Sequence, residues 1–256
     1  MLRTEWQVFI ANRRFLFLSL GPLLLAAISA FSYYAANSVG LTYIDGYIFI
    51  INTANLYTLL FLPFLGVAMG NYLIMAEFNW QTIRRPFVEH ISRRRFIVAK
   101  AVVAAIALAL LMVPYFLACT FLSNVFFGLN HILIEDRTIS AVNGLLRATG
   151  AYAWSGFILY IFVVLGQIIL LRVHNTIVAI LGSLLPFYIF VAFGKQLPLA
   201  PIRTLFQLPE RILQAGTLNG HLGQQVLIAL ITWGLIIAIL LSIQVYLFSR
   251  QDIITS

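Results

Sequence analysis

The run FIVAKAVVAAIALALLMVPYFLACTFL, Phe96–Leu122, decides what kind of fold this chain can adopt. It is almost free of charge, carrying only Lys100. A helix rises about 1.5 Å per residue and the hydrocarbon core of a bilayer is about 30 Å thick, so about 20 such residues cross it. Five further runs meet the same measure: Phe15–Ala36, Leu56–Ala76, Ala151–Leu171, Val173–Phe193 and Val226–Phe248. The whole composition agrees, because 62% of the 256 residues are hydrophobic and 9% are charged. A soluble domain carries about 25% charged residues. No segment is polar enough to fold separately in water. The expected fold is therefore all-α: one polytopic membrane domain over residues 1–256, with six transmembrane helices.

Six crossings put both termini on one side. The segments on that side hold Arg3, Arg13, Arg14, Arg84, Arg85, Arg93, Arg94, Arg95, Lys100, Arg172 and Arg250, against Arg137, Arg147, Lys195, Arg203 and Arg211 on the other. The excess places both termini in the cytoplasm of a multi-pass protein. Arg13 and Arg14 before an apolar run resemble the start of a signal peptide. The run to Ala36 is longer than a usual signal core, and no small-x-small cleavage site follows, so it reads as a retained span. The formal net charge of +8 would suggest nucleic acid on a soluble protein. Here the basic residues flank apolar runs and set orientation instead, so the expected surroundings are lipid, not nucleic acid. Cys119 is the single cysteine and excludes a disulfide framework or a cysteine-rich metal site.

The segments between spans are not all plain loops. Within residues 1–14, Leu2, Trp6, Phe9 and Ile10 share a helical face, the pattern of a short interfacial helix; an ordinary basic flank accounts for it equally well. On the outer side, residues 124–146 and 194–223 are too interrupted to span and too apolar for solvated loops. Short re-entrant or interfacial helices are expected there, before the last span in the second case, among Pro198, Pro201 and Pro209. Arg172, His174 and Asn175 leave the fourth and fifth spans joined by a tight hairpin. Pro63, Pro114 and Pro186 lie inside spans, where bundles tolerate kinks.

Motifs that carry chemistry are missing. The chain has no G-x-x-x-x-G-K-[ST], no G-x-S-x-G, no H-E-x-x-H and no C-x-x-C. His90, His131, His174 and His221 are scattered and read as interfacial polar residues. Ionisable groups within a membrane are the usual functional flags. Glu77, Lys100 and Arg147 lie near span ends, where snorkelling accounts for them. Without a midplane carboxylate or histidine, an ion-coupled carrier is disfavoured, and no catalytic, cofactor or metal residue is assigned. Gln167, Gln244, Asn52 and Asn55 read as helix–helix hydrogen-bonding groups. Tyr33, Tyr34, Trp6, Trp80 and Tyr246 read as interfacial anchors.

What remains is the stretch EFNWQTIRRPFVEHISRRRFIVAK, Glu77–Lys100, which holds six of the sixteen basic residues between two apolar runs. Trp80, Ile83, Phe87 and Ile91 fall at helical spacing among Arg84, Arg85 and Glu89. Pro86 ends a first helix near Arg85, and Ser92 is the expected N-cap of the next span. Orientation explains the arginines. It does not explain an apolar stripe, which needs lipid or a partner protein to cover it.

Here the sequence resembles the permeases of type-2 ATP-binding-cassette (ABC) exporters. Their pattern at this place is Glu, then Gly-Thr, then Pro-x-Ser-Arg, then Lys. This chain reads Glu77, Gln81-Thr82, His90-Ile91-Ser92-Arg93 and Lys100, with Gln81 for the glycine and His90 for the proline. The C-terminal FSRQDI, Phe248–Ile253, is similar to the family's Phe-x-Arg-x-Asp ending. The resemblance implies that residues 77–95 form a cytoplasmic coupling helix docked on a separate ATPase. The implied interface is Glu77, Trp80, Thr82, Ile83, Arg84, Arg85, Phe87, Ile91, Ser92, Arg93 and Lys100, with Glu77 and Arg93 fixing its ends to the spans. It further implies a bacterial inner-membrane assembly of two permeases, identical or different, with two ATPases. ATP and Mg would be bound on the ATPase and no cofactor on this chain, which is then not itself an enzyme. The cargo would be a hydrophobic or amphipathic drug, peptide antibiotic or lipid. An ATPase-independent carrier or channel, or a non-transporting membrane anchor, are the alternatives.

Overall fold

The computed structural model describes residues 13–40, 45–79, 92–128, 132–134, 137–193, 196, 200–214 and 220–250. Six helical segments are long and apolar enough to cross a membrane. The first is α1, Arg13–Ser38. The second crossing starts with α2, Gly46–Leu56, passes through a π-helical turn at Tyr57–Phe61 and continues as α3, Leu62–Asn79. Then come α4, Arg93–Phe126, α5, Ala141–Val173, and α6, Thr176–Phe193. A shorter helix, α7, Ala200–Gln214, precedes the last crossing, α8, Gly220–Ser249. The all-α expectation holds for the crossings. The proposed interfacial helix at residues 1–14 falls outside the described residues, apart from the start of α1.

Sequence boundaries err mostly by being too short. The second crossing begins at Gly46, not Leu56, because the Asp45 carboxylate accepts the Ile48 amide at 2.8 Å and caps the helix. The third starts where Ser92 Oγ accepts the Arg95 amide at 3.4 Å, as its sequence foretold. The fourth gains ten residues at its start, where Ser140 Oγ accepts the Asn143 amide. The fifth begins at Thr176, not Val173. There His174 takes a left-handed conformation with φ 55° and closes α5, and Asn175 Oδ1 accepts the amides of Ile177 and Val178 to open α6. That two-residue joint is the expected tight hairpin.

The segments before α5 and before α8 differ from each other. In the first no short helix forms among the described residues; Ile132–Ile134 and Arg137–Ile139 pair as an antiparallel β-hairpin, a small departure from an all-α fold. In the second, α7 has 15 residues, too short to span a bilayer but strongly amphipathic. Leu205 and Leu208 on its apolar face are buried against α5 and α8. Trp154 Nε1 of α5 donates to Leu205 O at 2.9 Å, and Phe206 stacks on Phe190 of α6.

Helices α4 and α5 form the buried middle, with α1 and α2 against α4, α6 against α3 and α5, and α8 against α4, α5 and α7. Close approach needs small residues, since lipid tails give apolar side chains no incentive to pair. Ala26 and Ala30 of α1 are fully buried one turn apart. Gly66 and Gly70 of α3 face α5, and a Cβ on Gly70 would meet Val163 Cγ1 at 2.5 Å.

Prolines lie inside the second and third crossings, and side chains add hydrogen bonds between these two helices. Pro63 lacks an N–H, and the turn just before it widens to a π geometry. Pro114 lies inside the continuous helix α4. Between the two helices Tyr57 Oη donates to Leu111 O at 3.3 Å, and Tyr115 Oη donates back to Thr53 O at 3.0 Å. Their rings stack at 3.9 Å, both fully buried.

Candidate functional site

Five crossings converge at the end of the bundle that carries the 77–95 stretch. Ile74 of α3, Phe96 and Ile97 of α4, Leu170 and Leu171 of α5, Ala179 of α6 and Phe248 of α8 bury one another there. This is a core of its own, separate from the main one. Its edge is polar. Arg93 Nη1 donates to Ser249 O at 2.7 Å and to Phe248 O at 3.4 Å, the last carbonyls of α8. They belong to the last turn of α8, and a helix C-terminus attracts cations. Arginines in the first turn of α4 oppose that helix's own dipole, and Arg93 offsets this by leaning on the end of α8. The Phe96 ring stacks on Phe248 at 5.4 Å, and Lys100 Nζ lies 5.3 Å from the Phe96 centroid.

The sequence candidates divide accordingly. Ser92 caps α4, Arg93 joins α4 to α8, and Lys100 sits beneath the Phe96–Phe248 stack. Glu77 belongs to the last turn of α3. Trp80, Thr82, Ile83, Arg84, Arg85, Phe87 and Ile91 lie outside the described residues, so the apolar stripe is not placed. Lys100 is 2% exposed, because its face of α4 points into the bundle, and its ammonium reaches back one turn toward the start of α4 to lie over the Phe96 ring. Arg147 is half-buried near the start of α5.

No protein-family model matches the chain, and no curated protein or solved structure matches it either. The site must therefore be read from its own geometry.

One turn further into the bundle from Phe248, the polar groups continue. Gln244 of α8, fully buried, donates through Nε2 to Gln167 Oε1 of α5 at 3.1 Å. Gln167 Nε2 in turn donates to Gly70 O of α3 at 3.0 Å. The glutamines are thus helix–helix hydrogen-bonding groups, as their sequence setting suggested. Asn71 beside Gly70 escaped notice in the sequence. It is fully buried, and neither its Nδ2 nor its Oδ1 has a hydrogen-bond partner among the described residues; Gln244 Oε1 lacks one too. An apolar run interrupted by a single carboxamide was the available signal.

Among the described residues, no group of three or more His, Cys, Asp or Glu could hold a metal ion. A cleft between α2, α5 and α7, bordered by Ile51, Thr58, Tyr152, Ser155 and Leu213, encloses about 20 Å³. That is room for one water, far below the about 300 Å³ of a small-molecule pocket.

Proposed function

We propose that this chain is the membrane-spanning permease of a type-2 ABC exporter, in the bacterial inner membrane with both termini cytoplasmic. In this reading residues 77–95 dock on a separate ATPase. Two permeases and two ATPases form the working assembly, and the cargo is hydrophobic or amphipathic. One observation carries the reading. The two stretches that resemble the family, His90–Lys100 and the ending that begins at Phe248, touch through Arg93 and the α8 carbonyls although they are 155 residues apart. A loop that only set orientation would have no reason to seize the end of the last span. An assembly that passes force from a docked segment into the spans would.

The test is co-purification. The wild-type chain, extracted from its native membrane, should bring down an ATP-hydrolysing subunit, and Phe87→Asp should lose it while keeping the spans folded. Co-purification of that subunit with Phe87→Asp at the wild-type level would refute the docking assignment. A wild-type chain that carries no ATPase, or one that moves solute after ATP depletion, would point to a carrier or an anchor instead.

A further inference from the structure

The segment at residues 80–91 is flanked by α3 before it and α4 after it. The two flanking helices are also joined by a second route, made of side chains. From α3, Gly70 O accepts Gln167 Nε2 of α5, and Gln167 Oε1 accepts Gln244 Nε2 of α8. One turn along α8, Phe248 O and Ser249 O accept Arg93 Nη1 at the start of α4. We infer that Gln167, Gln244 and Arg93 are positioning residues of a clamp that holds both roots of the 80–91 segment to the last span, so that the segment and α8 move together.

Three features favour this over ordinary packing glue. First, the clamp has spare partners. Asn71 adjoins Gly70 and has both a free donor and a free acceptor among the described residues, and Gln244 Oε1 is a further free acceptor. Asn71 Oδ1 and Ser183 Oγ stand 3.2 and 3.1 Å from the point where a Gly166 Cβ would lie, so α5 is open to Asn71 there. A chain of carboxamides with unused partners in its midst can shift by a residue and re-form its bonds, whereas a saturated one cannot. In hydrocarbon, where a stranded polar group costs several kcal/mol, such spares determine whether a rearrangement is accessible. Second, the clamp's long member is the least enclosed span. Only 11% of the α8 window is buried within the chain, against 61% for α4 and α5. Third, the junction at Arg93 uses backbone carbonyls, so it pulls on the helix axis of α8 instead of a flexible side chain.

The inference deepens the proposed coupling role and rests on it, but the clamp can be tested by itself. In the full chain in lipid nanodiscs, hydrogen exchange would be followed at residues 72–79 and 96–103, the roots of the segment. Gln244→Leu, which keeps the bulk but removes the amide, should speed exchange at both roots together by about fivefold, the scale of one lost buried hydrogen bond. Arg93→Gln should do the same and Arg93→Lys should restore much of the protection, since an ammonium can still cap α8. Ser242→Ala, which removes a bond only to Ala238 O within α8, should change neither root. If Gln244→Leu alters exchange within α8 alone, the clamp is refuted. The second arm adds the ATP-hydrolysing subunit that co-purifies with wild type. Gln244→Leu should bind it with unchanged affinity while its stimulation of ATP hydrolysis falls; unchanged stimulation would also overturn the clamp. If no such subunit binds the wild-type chain, the exporter reading fails and the exchange arm still decides the clamp.

Discussion

The two halves of the bundle are tied by different chemistry. In the half away from the 77–95 end, Tyr57 and Tyr115 each donate to a carbonyl of the other's helix, and Trp154 and Trp233 donate to the carbonyls of Leu205 and Phe157. Every one of these links ends on backbone, and each donor is a rigid ring. Tyr152 Oη is left without a partner among the described residues, but its ring is held by a stack on Phe116 at 5.2 Å. In the half at the 77–95 end, one ring still reaches backbone, Tyr160 Oη donating to Ala101 O at 2.9 Å, but the other links run through flexible carboxamides in series, with a wholly unpartnered Asn71 alongside, among the described residues. The first half resembles a welded joint and the second a linkage with play. Tyr57, Tyr115, Gln167 and Gln244 are all fully buried, so hydrophobicity alone does not produce the difference; the type of polar group does.

The comparison can be broken most forcefully at Tyr115. Tyr115→Ala should cost about 3–5 kcal/mol, as truncation of a buried aromatic ring does, and Tyr115→Phe only about 1 kcal/mol for the lost hydroxyl. Thermal unfolding in micelles separates the two. Gln167→Leu comes next. It strands the Gln244 amide and should lower stability by about 1–2 kcal/mol, read in the same assay. Asn71→Leu should have the opposite sign, raising stability by about 1 kcal/mol, because two unsatisfied groups give way to an apolar side chain of similar size. A destabilised Asn71→Leu would mean that the asparagine is already bonded and that its half of the bundle is as fixed as the other. The smallest effect belongs to Trp154→Phe, about 0.6 kcal/mol, confined to the seating of α7. Faster tryptic cleavage at the exposed Arg203, with unchanged cleavage elsewhere, is the expected signature.

How much of this the sequence reveals depends on whether a feature is local. The Ser92 cap and the turn at His174–Asn175 were visible because a cap needs only neighbours in the chain. The Asp45 cap was equally local, and it was overlooked because Asn52, Thr53 and Asn55 break the apolar run that follows. Gln167 and Gln244 could be recognised as hydrogen-bonding residues from their apolar surroundings, but not as partners of each other, since helix rotation decides that. Lys100 shows the same limit: distance from a span end is written in the sequence, and the face it occupies is not. The meeting of Arg93 with Phe248 and Ser249 was beyond reach, because it depends on which crossings become neighbours.

That meeting has a consequence for how the molecule is made. Arg93 waits for carbonyls 155 and 156 positions later, which the ribosome supplies only after the intervening crossings have been made. Chains grow at about 5–20 residues per second, so the first three crossings stand in place for about ten seconds before this contact arrives. Closure of the basic end therefore waits for the completion of α8, and a product cut short before Phe248 would carry the earlier crossings yet never acquire it.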